Sequence, residues 1–237
     1  MLDKIRYKNV FDLASGDYFV QPVPQYLSQF SSRELVSDFL DEKLSTDNDP
    51  KWKDFGFLSI EDYSFWSKRL CGIICLKMVL DTSPNTSTEY ISELTSKAVK
   101  SGGYIVYDEK GAFIDNGWFY QPLVNLAQDY GFEGKVLTNL KNLDLCNNVL
   151  NNIFTIISVH PGVIRFDFDK APNNKKGGHL VLVVGFKWDG NNCTGFYIHN
   201  PSGRVEETQE KAFIPIKQFD EAFALRGFSL RRGKINI

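Results

Sequence analysis

The chain has 237 residues, 43% hydrophobic and 24% charged, with a net charge of −2 at pH 7. That suits one globular domain of up to two lobes, burying about 70–75% of the unfolded surface, and it offers no basic footprint for nucleic acid. No window approaches the roughly 18 consecutive apolar residues of a membrane span. MLDKIRYKNVFDLASG also lacks a secretory signal's apolar core, so a cytoplasmic location is the default expectation, with secretion by another route left open.

In chain order, residues 1–30 read as extended or irregular, punctuated by Gly16, Pro22 and Pro24, with one short strand at Tyr18-Phe19-Val20. SSRELVSDFLDEKLS, residues 31–45, predicts an amphipathic helix capped by Ser31 or Ser32, with Leu35, Phe39 and Leu40 on one face. TDNDPKWKDFG is a polar loop. A helix over Leu70–Leu80 is apolar nearly all round and therefore central and buried. Thr86 or Ser87 caps a helix over Glu89–Val99, stopped by Gly102-Gly103. A loop over 104–117 leads to a helix at about Trp118–Tyr130, and Leu143–Asn151 is a short helix.

The pattern changes after residue 152. Residues 153–159, 162–168, 179–188 and 194–200 read as strands between Pro, Gly and Asn turns. A short helix over 217–227 and a last strand at FSLRR follow. Helices in the first half and an antiparallel sheet in the second make an α+β chain.

Cys71, in FWSKRLCGIICLKMVL, falls at the start of the central helix, where free N–H groups and the helix dipole favour a thiolate. Gly72 leaves room for close approach of backbone or substrate, and the Cys71 amide is a candidate oxyanion donor. As a small hydrophobe at a helix start, Cys71 also has a purely structural reading. Cys75, one turn on, reads as core. The four cysteines (Cys71, Cys75, Cys146, Cys193) are too scattered for a disulfide framework or a zinc site, and most or all are expected as free thiols. His179 opens the most apolar strand, after Gly177-Gly178. Asn200 ends the next strand before Pro201, placed to accept a hydrogen bond from a His179 N–H and fix its tautomer. His199 alternates to the opposite face, and His160 is a turn residue at a strand end.

Taken together, W..RLCGIICLKMVL, GGHLVLVVGF and YIHNPSG resemble the papain-like cysteine peptidases of the bacteriocin-processing group, which include leader peptidases that cut after a double glycine. The resemblance covers about residues 66–203. It rests on Cys-Gly at a helix start, Gly-His opening a strand, and Asp or Asn before Pro roughly 20 residues later. It implies a papain-like α+β fold with the nucleophile helix packed on the sheet. Residues 1–237 would then form one domain, with 1–60 an N-terminal extension carrying an opening strand and an inserted helix. Phe65 and Trp66 stand where the family places a glutamine. VPQYLSQF makes Gln29 the candidate second oxyanion donor, with Gln25 and Gln21 as rivals.

The expectation is a cysteine peptidase with Cys71, His179 and Asn200 as catalytic groups and Gln29 assisting. Gly72, Trp66, Trp118, Gly177 and Gly178 would shape the substrate cleft. No metal or organic cofactor is called for. The partner is a peptide or protein substrate, and the oligomeric state is open. The alternatives are an amidase or acyltransferase on a non-protein substrate, or a catalytically silent fold that binds a peptide or protein.

Overall fold

The most apolar stretches of the chain become the middle of an antiparallel sheet. In the computed structural model, which describes residues 10–83, 89–164 and 176–233, β3 (Phe154–Val159) is buried throughout, and β4 (His179–Trp188) everywhere except Lys187. A strand buried on both faces must be apolar on both, which is why neither shows simple alternation. Around them lie β2 (Phe132–Thr138), β5 (Cys193–His199), β6 (Ala212–Pro215) and β7 (Phe223–Arg232), in the order β2-β7-β3-β4-β5-β6. β1 (Gly16–Phe19) continues the β3 side of β4: β3 pairs with residues 179–183 and β1 with 185–188.

The helices are α1 (Val36–Leu40), α2 (Ile60–Ser67), α3 (Cys71–Leu80), α4 (Ile91–Lys100), α5 (Tyr120–Asp129), α6 (Asn142–Leu150) and α7 (Ile216–Ala222). α3 is buried along its length apart from Cys71 and Lys77, which are half-buried. It packs on β4 and β3, while α5 lies against β2 and β7. The α+β, papain-like arrangement of a buried central helix on an antiparallel sheet is thus the architecture of the chain. Among the described residues no helix is long and apolar enough to cross a membrane.

Several elements depart from the sequence reading. The helix expected over 31–45 shrinks to a 3-10 turn at Arg33–Leu35 and the five residues of α1. Ser32 does not cap it, because its hydroxyl goes instead to the buried carboxylate of Asp49 at 2.6 Å, and Glu42 turns to a positive φ of 57°. The polar loop after it contains two 3-10 turns, Thr46–Asn48 and Trp52–Phe55. α2 was not anticipated, although Ser59 caps it by accepting the Asp62 amide at 3.1 Å, an S-x-x-D start signal. β2 and β6 were also missed. β2 is largely solvated and carries Glu133, Gly134 and Lys135, so apolar alternation is absent.

The strand expected over 162–168 begins as a 3-10 turn at Pro161–Ile164, held by the Gly162 amide donating to His160 Nδ1 at 2.8 Å. Its remainder lies outside the described residues, as do the Thr86 and Ser87 caps. The helix expected over 217–227 stops at Ala222, and residues 223–227 join β7.

The extension is fastened in two ways. Phe30, Val36 and Phe39 form a small second core. Asp49 accepts from Ser32, from the Lys51 amide at 3.0 Å and from the Tyr63 hydroxyl of α2. Just upstream, residues 26–29 lace onto the chain after β5. The Tyr26 hydroxyl donates to the Asn200 carbonyl (3.0 Å), and the Gln29 amide donates to the Pro201 carbonyl (2.8 Å).

His199, fully buried, donates from Nε2 to the Pro24 carbonyl at 2.9 Å and accepts the Lys211 amide on Nδ1 at 3.0 Å. One donor and one acceptor are both in use, so only the neutral ring fits, and burial holds its pKa down to about 4. Between about pH 6.5 and 4 the unfolded chain therefore binds a proton that the folded chain does not. Stability is full above pH 6.5 and is lost as pH falls, by on the order of 3 kcal/mol from this residue. The melting temperature should fall steadily from pH 7 to 4.5. His199→Gln, which keeps a donor and an acceptor, should give a shallower slope. A flat wild-type profile would refute this.

Candidate active site

The site is assembled where α3 begins, where β4 begins and where β5 ends. A turn at Lys68–Leu70 separates α2 from α3 and leaves Cys71 as the first residue of the helix. The Cys71 amide takes no part in the turn hydrogen bonds that precede α3, as is normal for a first-turn donor. Leu180, next to His179, holds α3 at two points. Its amide faces the Cys71 sulfur, and its carbonyl accepts the Cys75 thiol at 3.5 Å. The i, i+4 spacing of the two cysteines thus brackets one backbone unit of β4.

Gly72 is explained by what lies over it. A Cβ there would stand 2.8 Å from the Trp118 indole and 3.1 Å from Leu180. Trp118 donates from Nε1 to the Arg69 carbonyl at 2.7 Å, tying the start of α5 to the turn before Cys71. Gly72 therefore accommodates Trp118 rather than an incoming substrate.

On the sheet side, Gly177 and Gly178 both have φ +106°, a backbone conformation that L side chains rarely adopt. They deliver His179 to the first position of β4. Its Nε2 lies 2.8 Å from Asn200 Oδ1 and 3.1 Å from the Ser202 hydroxyl. The Ser202 amide also points at Oδ1, at 3.3 Å, which identifies that atom as the acceptor. Nε2 consequently carries the proton, and Nδ1 keeps its lone pair. Asn200 is held by its backbone as well: its amide donates to the Gln209 carbonyl at 2.9 Å, and its carbonyl accepts the Tyr26 hydroxyl.

Cys71 and His179 line one cleft of about 590 Å³ together with Trp118, Gly178 and Leu180. Its outer wall is a network: Arg69 bonds Asp115 at 3.0–3.1 Å, and Asp115 also accepts the Tyr104 hydroxyl. Asn200 lies beneath His179 and is buried. Trp66 is a layer further back, packed on Trp118 and Tyr104 at ring distances of 6.1 and 5.5 Å. Gly177 faces Ser158 and Arg226. Gln29 is buried against Pro201, outside the described lining of the cleft, and its Oε1 has no hydrogen-bond partner among the described residues. The reading of the sequence missed Ser202, the Arg69–Asp115–Tyr104 wall, Ser158 and Arg226. Ser202, in NPSG, and Arg69, in RLCG, lay within recognised motifs.

The electrostatics reverse one expectation. Burial pushes the Cys71 thiol up to about 11, outweighing the amides of Leu180, Gly72 and Cys71 that favour thiolate. Burial likewise pulls His179 down to about 4 against the opposing hydrogen bond from Asn200. Desolvation exceeds the helix-terminus effect here, so thiol and imidazole rest neutral together. Cys146 and Cys193 contact each other through their sulfurs, and all four cysteines are free. Among the described residues no three His, Cys, Asp or Glu side chains gather as a metal site.

The Peptidase C39-like family profile matches residues 57–229, well over half of the chain. The chain belongs to the Peptidase C39-like family. Solved structures with a similar chain path include a double-glycine-motif protease from an AMS/PCAT transporter in complex with its leader peptide. It is 18% identical, with 68% of this chain and 84% of that one covered and a TM-score of 0.43. A C39-like peptidase from Bacillus anthracis is 18% identical, covering 70% and 90%, with a TM-score of 0.49. The peptidase domain of Streptococcus ComA, a bifunctional ABC transporter, is 16% identical, covering 69% and 91%, with a TM-score of 0.43. No curated protein sequence matches the chain. The family match covers Cys71, His179 and Asn200 and leaves most of the N-terminal extension outside it.

Two outcomes follow from the geometry. Iodoacetamide labelling of Cys71 in the free protein should be slow at pH 6 and rise continuously to above pH 9; rapid labelling at pH 6 would show a preformed thiolate. Gly72→Ala must displace Trp118, with an overpacking cost of about 1–3 kcal/mol in thermal stability. Gly72→Ala combined with Trp118→Phe, which narrows the ring, should recover part of that loss.

Proposed function

We propose that this C39-like peptidase hydrolyses a peptide bond through a Cys71 thioester, with His179 as proton carrier and Asn200 as the group that orients it. The observation that carries this reading is the 2.8 Å bond from His179 Nε2 to Asn200 Oδ1, which leaves the basic Nδ1 for a cleft that Cys71 also lines. Because the free pair rests neutral, the thiol gives its proton to Nδ1 as the sulfur attacks the carbonyl. The imidazolium then forms only as negative charge appears on the substrate oxygen. Asn200 accepts from Nε2–H throughout and prevents the ring from turning. The imidazolium returns its proton to the leaving amine, and water, deprotonated by the same nitrogen, releases the acyl group.

The Cys71 amide is one oxyanion donor. Gln29 is proposed as the second: it is buried, its backbone is fixed to Pro201, and its side-chain amide forms no hydrogen bond with any described residue. Trp118 and Gly178 are proposed to border the substrate, with Trp66 supporting Trp118 from behind. Gln29 lies off the cleft wall, and this favours a second reading, a peptide-binding relative without turnover.

A positional-scanning peptide library separates the two. Turnover abolished by Cys71→Ala and lowered about 10²–10³-fold by Gln29→Ala supports the full mechanism. Cleavage that is insensitive to Gln29→Ala removes that donor. Binding without any Cys71-dependent cleavage removes hydrolysis. Ser202→Ala, which strips one hydroxyl from His179 Nε2, should lower kcat with little change in KM.

A further inference from the structure

Among the described residues, the charges on the cleft do not balance. Four charged side chains line it: Lys68, Arg69, Asp115 and Arg226. Arg69 and Asp115 are committed to each other, and Asp115 also to Tyr104. Arg69 is further engaged by the Phe65 carbonyl at 2.6 Å and lies 4.1 Å over the Phe65 ring. Lys68 and Arg226 make no side-chain hydrogen bond or ion pair with any described residue, and both are exposed. They stand on different elements. Lys68 is on the turn three residues before Cys71, and Arg226 is on β7, beside the glycines that lead to His179. Among the described residues, two free cations and no free anion therefore face the space that Cys71 lines.

The backbone is built to present Arg226. β3 and β7 pair at Ile157 with Gly227 and again at Val159 with Phe223. The single residue Ser158 therefore opposes three, Ala224, Leu225 and Arg226. Leu225 takes a φ of +56° and is half exposed. Such a conformation is unfavourable for a branched side chain, and bulges of this kind re-aim neighbouring groups. Arg226 nevertheless keeps its β2 partner, Thr138, so its backbone stays fixed. The guanidinium fills the space that a side chain at position 177 would need, 2.7 Å from an added Cβ. Gly177 thus makes room for Arg226 at the rim.

We infer that Arg226, assisted by Lys68 across the cleft, selects peptides carrying a carboxylate near the reacting bond. The guanidinium supplies a forked donor suited to a carboxylate, and cations on both walls raise the local concentration of an anionic ligand. The inference rests on the hydrolytic reading for its effect on turnover, but not for its effect on binding. The carboxylate can be an Asp or Glu side chain or a peptide C-terminus.

The test uses the full chain and peptide pools in which one position at a time is fixed as Glu, Gln or Lys, each made with a free and an amidated C-terminus. Cleavage is followed with wild type, Arg226→Gln, Arg226→Glu and Lys68→Gln. Binding of the same fluorescein-labelled pools to Cys71→Ala is followed by polarisation, with and without Arg226→Gln. At one position or at the terminus, the carboxylate should improve kcat/KM and affinity by about fivefold, the upper range for a solvent-exposed ion pair. Arg226→Gln should abolish most of that preference, Arg226→Glu should turn it toward Lys, and Lys68→Gln should weaken it. A preference confined to the fixed Glu identifies a side chain, and one confined to the free terminus identifies the chain end. Equal handling of Glu and Gln pools, or an undiminished preference in Arg226→Gln, overturns the inference. If no pool is cut in a Cys71-dependent way but Glu pools still bind Cys71→Ala more tightly through Arg226, hydrolysis fails and the carboxylate preference stands.

Discussion

The hydrogen bond between His179 Nε2 and Asn200 Oδ1 is the constraint around which the site is organised. It joins the first residue of β4 to the residue just beyond β5, so its length depends on the β4–β5 register, in which Leu182 faces His199. Everything that holds Asn200 therefore bears on the tautomer of His179. The Tyr26 hydroxyl, the Gln209 carbonyl and the Ser202 amide and hydroxyl converge on it from separate parts of the chain. A side chain held by several partners in a dry site loses little entropy when it works, and this is the physical content of a pre-organised site.

Cys71 is placed by a different kind of contact. α3 is nearly all apolar, and burial alone would let it slide or roll on the sheet. Two features remove that freedom: the backbone of Leu180 between Cys71 and Cys75, and Trp118 lying where Gly72 has no side chain. Desolvation also acts on the charged forms: it disfavours both a Cys71 thiolate and a His179 imidazolium.

The N-terminal extension lies mostly outside the family match, yet it is fastened to the same structure. Asp49 and Tyr63 tie its small core to α2, the helix before α3. Residues 26–29 meet the Asn200–Pro201 segment. The extension thereby touches both halves of the site from behind, without lining the cleft.

Much of this was legible in the residues themselves. Uninterrupted apolar runs located α3, β3 and β4, since a segment buried on all sides must be apolar on all sides. Gly-His and Asn-Pro marked the ends of strands because glycine permits backbone angles closed to other residues and proline restricts them. Features set by distant partners were not legible. β2 and β6 are edge or near-edge strands whose neighbours supply what their own pattern lacks. The helix expected at 31–45 lost its Ser32 cap to Asp49, and the helix at 217–227 gave way to a strand demanded by β3. The bulge that offers Arg226 exists only as a mismatch between two paired strands. The same holds for the chemistry. A cysteine at a helix start reads as an activated thiol from local dipoles, but its proton affinity is decided by how much water the fold removes around it. Local sequence determined which groups are present and which segments are buried; the tertiary structure decided their partners and their solvation, because those depend on chain segments more than a hundred residues apart.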